Sequence, residues 1–104
     1  MKWKPHHAKD NRITSTSSIK HLDNFKDLPI GRGVYILMDK NHHVKYVGKA
    51  GARRMVAEIN DAINNRTKGR GATRVKALYI ATENQAYAVE TQLRHYYDPP
   101  NNLQ

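Results

Sequence analysis

The chain has 104 residues, no cysteine, and 18 Lys+Arg against 9 Asp+Glu, a formal charge of +9. That length suits one domain with a modest core, and the missing cysteines exclude disulfides, thiolate metal sites and a cysteine nucleophile. No stretch approaches the roughly 18 apolar residues of a membrane span, and the charge points to a polyphosphate partner, nucleic acid first.

Residues 1–18 read as a basic arm. They carry Lys2, Lys4, Lys9 and Arg12 with few apolar residues, so they cannot build a core of their own. The arm is either a flexible tail or a segment lying on a phosphate backbone. Trp3 suits stacking on a base or packing the arm onto the domain. The opening Met1-Lys-Trp-Lys-Pro-His-His lacks the apolar run of a secretory signal, and the chain is expected inside the cell, in the cytoplasm. His6-His7 and His42-His43 are adjacent pairs, without the spacing of a helical metal site.

From residue 19 the pattern changes. Ser18 is placed to cap a short helix through His21, Leu22 and Phe25, ended by Leu28-Pro29. Gly33-Val-Tyr-Ile-Leu-Met38 is a strand with both faces covered. Val44-Lys-Tyr-Val47 returns as its hairpin partner. A turn centred on Lys40-Asn41 would put Tyr35 directly opposite Tyr46, and Leu37 opposite Val44. Read alone, such a tyrosine pair packs a sheet.

A loop, 48–52, leads into a helix with Met55, Val56, Ile59, Ala62 and Ile63 on one face. Arg53 and Arg54 fall in its first turn, where cations oppose the helix dipole, so a phosphate contact would explain them. Residues 66–76 are the most basic stretch, with Arg66, Lys68, Arg70, Arg74 and Lys76 and no acid. Gly69-Arg-Gly71 suggests a mobile loop on a nucleic-acid backbone. A third strand follows over 77–81. A second helix is capped by Thr82 or Asn84, with Ala86, Val89, Leu93 and Tyr96 inward. Asp98-Pro99-Pro100 stops it.

Several of these residues together resemble a known pattern. Gly33-Val-Tyr35, then Tyr46-Val-Gly48 with Lys49-Ala50 behind it, resembles the signature of the GIY-YIG nuclease family. Glu90-Thr-Gln-Leu93 is similar to the family's glutamate helix, and Asp98-Pro-Pro-Asn-Asn102 to its Pro-Pro-x-Asn element, with Asn102 twelve positions after Glu90. The resemblance spans 19–102. It implies a DNA endonuclease with one Mg²⁺ (or Mn²⁺) on Glu90. Tyr35 would activate the attacking water and Tyr46 assist, roles open to exchange, with Lys49 and Arg54 as cations that lower a tyrosine's affinity for its proton. The family's helix arginine matches Arg53 or Arg54. Arg54 is favoured because Arg54-Met55 resembles the family's Arg-Leu pair, although it comes about two residues early. Asn102 would orient a ligand or pin the chain. The histidine or tyrosine that the family often adds before the third strand is missing from 57–76, so that helper is absent or is replaced by Lys68 or another basic residue.

The expectation is one α+β domain, 19–104, with a small, mainly antiparallel three-stranded sheet flanked by helices. Its site residues are Tyr35, Tyr46, Lys49, Arg54, Glu90 and Asn102, with Arg53, Arg66, Lys68, Arg70 and Arg74 on nucleic acid. DNA is the expected partner, RNA fits the same charge, and a homodimer on DNA would make a double-strand break. Two alternatives stand beside this reading: a nucleic-acid-binding module of the same fold that cuts weakly or not at all, and an adaptor for an acidic protein.

Overall fold

Six consecutive apolar or glycine residues make Gly33–Met38 a strand that must be covered on both faces, and the computed structural model buries all six. The structure describes residues 1–103; Gln104, the far end of the expected domain, lies outside them. In chain order a 3₁₀ turn, Pro5–Lys9, precedes β1, Ile13–Thr16, and β2, Lys20–His21. The hairpin follows as β3, Gly33–Met38, and β4, Val44–Ala50. Helix α1, Met55–Ile63, leads through a loop to β5, Arg74–Ile80, and to α2, Glu83–Tyr97. Every pairing is antiparallel, in the order β1-β5-β3-β4, with β2 also on β5. None of the helices among the described residues is long and apolar enough to cross a membrane.

The alternation of side chains along β3, β4 and β5 divides the interior in two. One face carries Val34, Ile36, Val47 and Leu78 against Ala86, Val89 and Leu93 of α2. The other carries Tyr35, Leu37, Val75 and Ala77 against Met55, Ile59 and Ala62 of α1, with Phe25 and Leu28 closing it. Thr82 caps α2, its hydroxyl accepting from the Gln85 N–H.

The sheet has two strands more than expected, both from the first 21 residues. Residues 20–21 pair with Val75 and Arg74 where a helix had been expected. Phe25 and Leu28 are still buried, but through turns at His21–Asn24 and Phe25–Leu28. The short run carries too few residues at helical spacing to outweigh the free edge of β5, which offers backbone partners. The third strand starts earlier than expected, at Arg74. The inward tyrosine of α2 is Tyr97 and not Tyr96, which is 44% exposed.

The hairpin register also differs. Tyr35 faces Gly48, and Leu37 faces Tyr46, with an irregularity before Met38 and Val44. The connection is wider than a two-residue turn. Asp39 Oδ1 accepts from the N–H groups of Asn41 and His43, and His42 takes a left-handed backbone at φ 67°. That aspartate turn sets the register.

Residues 1–18 lie along the domain. Trp3 is buried and stacks on Tyr97, ring centroids 5.7 Å apart. The Trp3 backbone N–H donates to the His42 carbonyl, and the Val44 N–H donates to the Met1 carbonyl. Trp3 therefore packs the arm down and is not free for a base. Asp10 and Arg12 form a two-bond ion pair, and Arg12 also donates to Gln92 of α2. Trp3→Ala should cost about 3–5 kcal/mol in urea unfolding, because it empties a packed site between arm and helix. The bonds from Arg12 hold the Asp10 carboxyl at about 2, below its ordinary value. The native state thus favours the ionised form, a stabilisation complete above about pH 4 and lost as pH falls toward 2. Asp10→Asn should lower the thermal midpoint at pH 7, and its difference from wild type should close between those two values.

Candidate active site at the edge of the sheet

Strand β4 is the open edge of the sheet, and the candidate residues gather around it. Tyr35 and Tyr46 share the α1 face as diagonal neighbours, ring centroids 6.1 Å apart and 37° from parallel. Tyr35 is buried beneath the hairpin; Tyr46 is partly exposed. The glycines of the motif serve this packing. A Cβ on Gly48 would run into the phenol ring of Tyr35, and one on Gly33 into the Leu78 backbone carbonyl. The close approach is by the protein's own side chain and backbone.

Burial pushes the Tyr35 hydroxyl far above its ordinary range, and the neighbouring Tyr46, Glu58 and Asp61 push the same way. The expectation that Lys49 and Arg54 would lower it does not hold. Lys49 alternates onto the other face and pairs with Glu83 of α2. Arg54 pairs with Glu58 at 3.3 Å and Asp61 at 3.7 Å. Arg54 is the residue preceding α1, and Arg53 sits before it in a left-handed conformation at φ 65°, so neither lies inside the first helical turn as expected.

The chain beyond α2 folds back over the edge. Asn102 uses both ends of its carboxamide on Val47, accepting from the N–H at 2.8 Å and donating to the carbonyl at 2.9 Å. Asn101 donates its backbone N–H to the Lys45 carbonyl. Its buried side-chain amide donates to the carbonyls of Lys68 and Arg70. The loop around Gly69-Arg-Gly71, expected to be mobile, is thus fastened, with further bonds from Asn65 Oδ1 to the N–H groups of Thr67 and Lys68.

Under this closure lies a cavity of about 370 Å³. Tyr46 enters from the α1 face and Glu90 from α2, with Lys68 and Asn102 along the rim. The Lys68 ammonium lies 5.7 Å from the centre of the Tyr46 ring. Arg94, one turn on from Glu90, places its Nε 3.5 Å from that carboxylate. That Nε is buried without a hydrogen-bond partner among the described residues.

The structure therefore brings together Tyr46, Lys68, Glu90 and Asn102, with Tyr35 behind Tyr46. It does not bring Lys49 or Arg54 to the same cavity. Arg53 lines a separate cleft of about 430 Å³ with Arg32 and Ile30. Arg66 and Arg70 are exposed on the fastened loop, and Arg74 begins β5. Arg94, Asn65, Thr67 and Asn101 also line the cavity and were not foreseen. The i, i+4 spacing of Glu90 and Arg94 on a helix was the available signal for one of them.

No group of three or more histidine or acidic residues is poised around a metal among the described residues. Among the described residues Glu90 is the single carboxylate lining the cavity, and the Asn102 oxygen is committed to Val47. One carboxylate suits a hard divalent cation whose other ligands are water and phosphate oxygens. The orphaned Arg94 Nε calls for an added acceptor of the same kind. The donor set fits such an ion bound together with a phosphate.

No protein-family model and no curated protein matches this chain. Solved structures do. The GIY-YIG N-terminal endonuclease domain of UvrC from Thermotoga maritima, bound to magnesium as its catalytic divalent cation, superposes with a TM-score of 0.65. The match is 24% identical and covers 78% of this chain and 93% of that one. Two point mutants of the same domain, each bound to the cation, match at 24% and 23% identity with TM-scores of 0.64, over 79% of this chain and 93% of theirs.

The chain has the GIY-YIG fold. The expected α+β, mainly antiparallel architecture is observed. Within this fold the two tyrosines of the motif are not equivalent: the first is a buried post, the second the one that reaches the cavity. Gly48→Ala should cost about 1–3 kcal/mol in urea unfolding by displacing the Tyr35 ring. In a double-mutant cycle the penalty should shrink when Tyr35→Ala is present, since the clash partner is gone.

Proposed function

We propose that this protein is a divalent-metal-dependent endonuclease that hydrolyses phosphodiester bonds in DNA inside the cell. The observation that carries the reading is the meeting of Tyr46, Lys68, Glu90 and Arg94 in one cavity at the β4 edge. Glu90 would hold Mg²⁺ or Mn²⁺. When bound, the cation supplies charge neutralisation at the phosphate and the leaving oxygen.

The chain's own residues do the rest. Arg94 and Lys68 hold the phosphate, Arg94 through its guanidinium. Tyr46, which lines the cavity, orients the attacking water with its hydroxyl. Tyr35 keeps its proton and sets the Tyr46 ring, so the roles expected of the two tyrosines are exchanged. Asn102 positions β4 and is not a ligand. Arg54 and Lys49 contact flanking phosphates. Their acidic partners are partly exposed, and such pairs exchange at a cost of about 1 kcal/mol or less. Arg53, Arg66, Arg70 and Arg74 extend the cationic track along the nucleic acid, where RNA also fits. One cavity per chain cuts one strand per encounter, so a double-strand break takes a homodimer on DNA or two events.

A second reading, a binding module that does not cut, is favoured by the Glu90–Arg94 pair, which occupies the carboxylate a metal would need. Cleavage of labelled single-stranded, duplex and branched DNA separates the two. Cutting with Mg²⁺ or Mn²⁺ should stop in EDTA, and Glu90→Ala should abolish it. Tyr46→Phe should slow it by about 100-fold or more. Salt-sensitive binding with no cutting in either metal would establish the binding module, and cutting that survives Glu90→Ala would overturn the metal assignment.

A further inference from the structure

A second cleft lies on the opposite flank of α2. It encloses about 390 Å³ between the helix and the 3₁₀ turn of the arm, within the range of small-ligand sites. Val89 and Leu93 form an apolar floor, and His6, His7, Lys9 and Tyr96 rise around it. Residues 89, 92, 93 and 96 of α2 face this cleft, whereas 90 and 94 face the cavity already described.

Two of the rings, Tyr97 and His7, are held by hydrogen bonds, and Tyr96 and His6 pack against His7. The Lys4 N–H donates to the Tyr97 hydroxyl, which leaves the hydroxyl hydrogen for His7 Nδ1 at 2.6 Å. His7 then sets Tyr96 edge-on at 4.6 Å and His6 at 4.3 Å. Tyr97 is tied in turn to the buried Trp3. Tyr96 nevertheless keeps 44% of its surface exposed, and His6 is exposed beside it. An aromatic surface held rigid and left uncovered loses little conformational entropy when something stacks on it.

The charge around it selects the partner. Lys4 and Lys9 have no carboxylate within ion-pair reach among the described residues. Asp10, the one acid of the cleft, is neutralised by Arg12. Stacking rings with free cations beside them suit an unpaired nucleobase and its phosphate. Within a duplex the faces of a base are covered by its stacked neighbours.

We propose that this cleft is a second nucleic-acid subsite, which takes an unpaired base on Tyr96 and His6 and its phosphate on Lys9. It rests on the nuclease reading in one respect, that the strand bound here is the flank of the strand cut beside Glu90. The two sites are separated by one helix width, about 10–12 Å. The preferred substrate then carries an unpaired segment next to the cut.

The test is binding of the full chain, in EDTA, to a labelled single-stranded oligonucleotide, a blunt duplex, and an oligonucleotide of the same charge made wholly of abasic sites. Wild type should prefer the single strand with bases. Tyr96→Ala should weaken that binding about 5- to 100-fold and leave duplex binding unchanged, whereas Tyr96→Phe should stay within about twofold. Lys9→Ala should weaken binding and lower its salt dependence by about one ion. Thermal melts confirm that each variant is folded. Equal binding of the abasic and normal strands, undiminished binding by Tyr96→Ala, or displacement by polyglutamate of matched charge would overturn the subsite. Any of these would do so even if the protein cuts DNA. Tyr96-dependent binding in a protein that never cuts would leave the subsite standing and remove the nuclease reading alone.

Discussion

Two consecutive asparagines hold the candidate site together. Strand β4 ends the sheet with unpaired backbone groups, which invite other chains. The Asn102 carboxamide takes both polar groups of Val47, much as another strand would. Asn101 bonds Lys45 through its backbone and the basic loop through its side chain. In doing so the segment after α2 ties the edge strand to the loop before β5, beside the helix that carries Glu90. Lys68 and Glu90 lie on separate elements, and that closure helps set their separation.

The division of the interior explains why the site sits at an edge. Side chains alternate along a strand, so the tyrosines share the α1 face while α2 packs on the other. A glutamate on α2 can meet a tyrosine from the opposite face only where the sheet ends. β4 is that end. The cavity is therefore built across the thickness of the sheet, with Tyr46 and Lys68 on one side and Glu90 and Arg94 on the other. The arginine beside Glu90 has a physical consequence as well. It shields the carboxylate in the absence of other partners, yet its own Nε lacks a hydrogen-bond acceptor.

Much of this was legible along the chain. The run at 33–38 required a fully covered strand, Thr82 and the apolar stripe behind it required a capped helix, and the joint tyrosine, glutamate and asparagine motif named the fold. The misses have identifiable causes. The tyrosine register depended on Asp39 turning the hairpin through its side chain, which a turn centred on Lys40-Asn41 does not anticipate. Strands β1 and β2 are short, with only Ile13 in β1 offering an apolar side chain, so their pattern is weak; the exposed edge of β5 decided them. Trp3 carried no periodic signal because its partner, Tyr97, is over ninety residues away.

By itself the sequence determined the elements with a local cause: apolar runs, caps, breakers, and the spacing of residue types within one helix or hairpin. It also determined the excess of positive charge, which is a sum and needs no geometry. The tertiary structure alone decided which charges are spent. Lys49 and Arg54 are answered by acids from other positions, while Lys68 is turned toward Tyr46. It also decided which tyrosine is buried and which reaches solvent, because burial depends on what packs from outside the strand. Pairing and burial are properties of neighbours in space, and apart from Glu58 and Asp61 beside Arg54 those neighbours are distant along the chain.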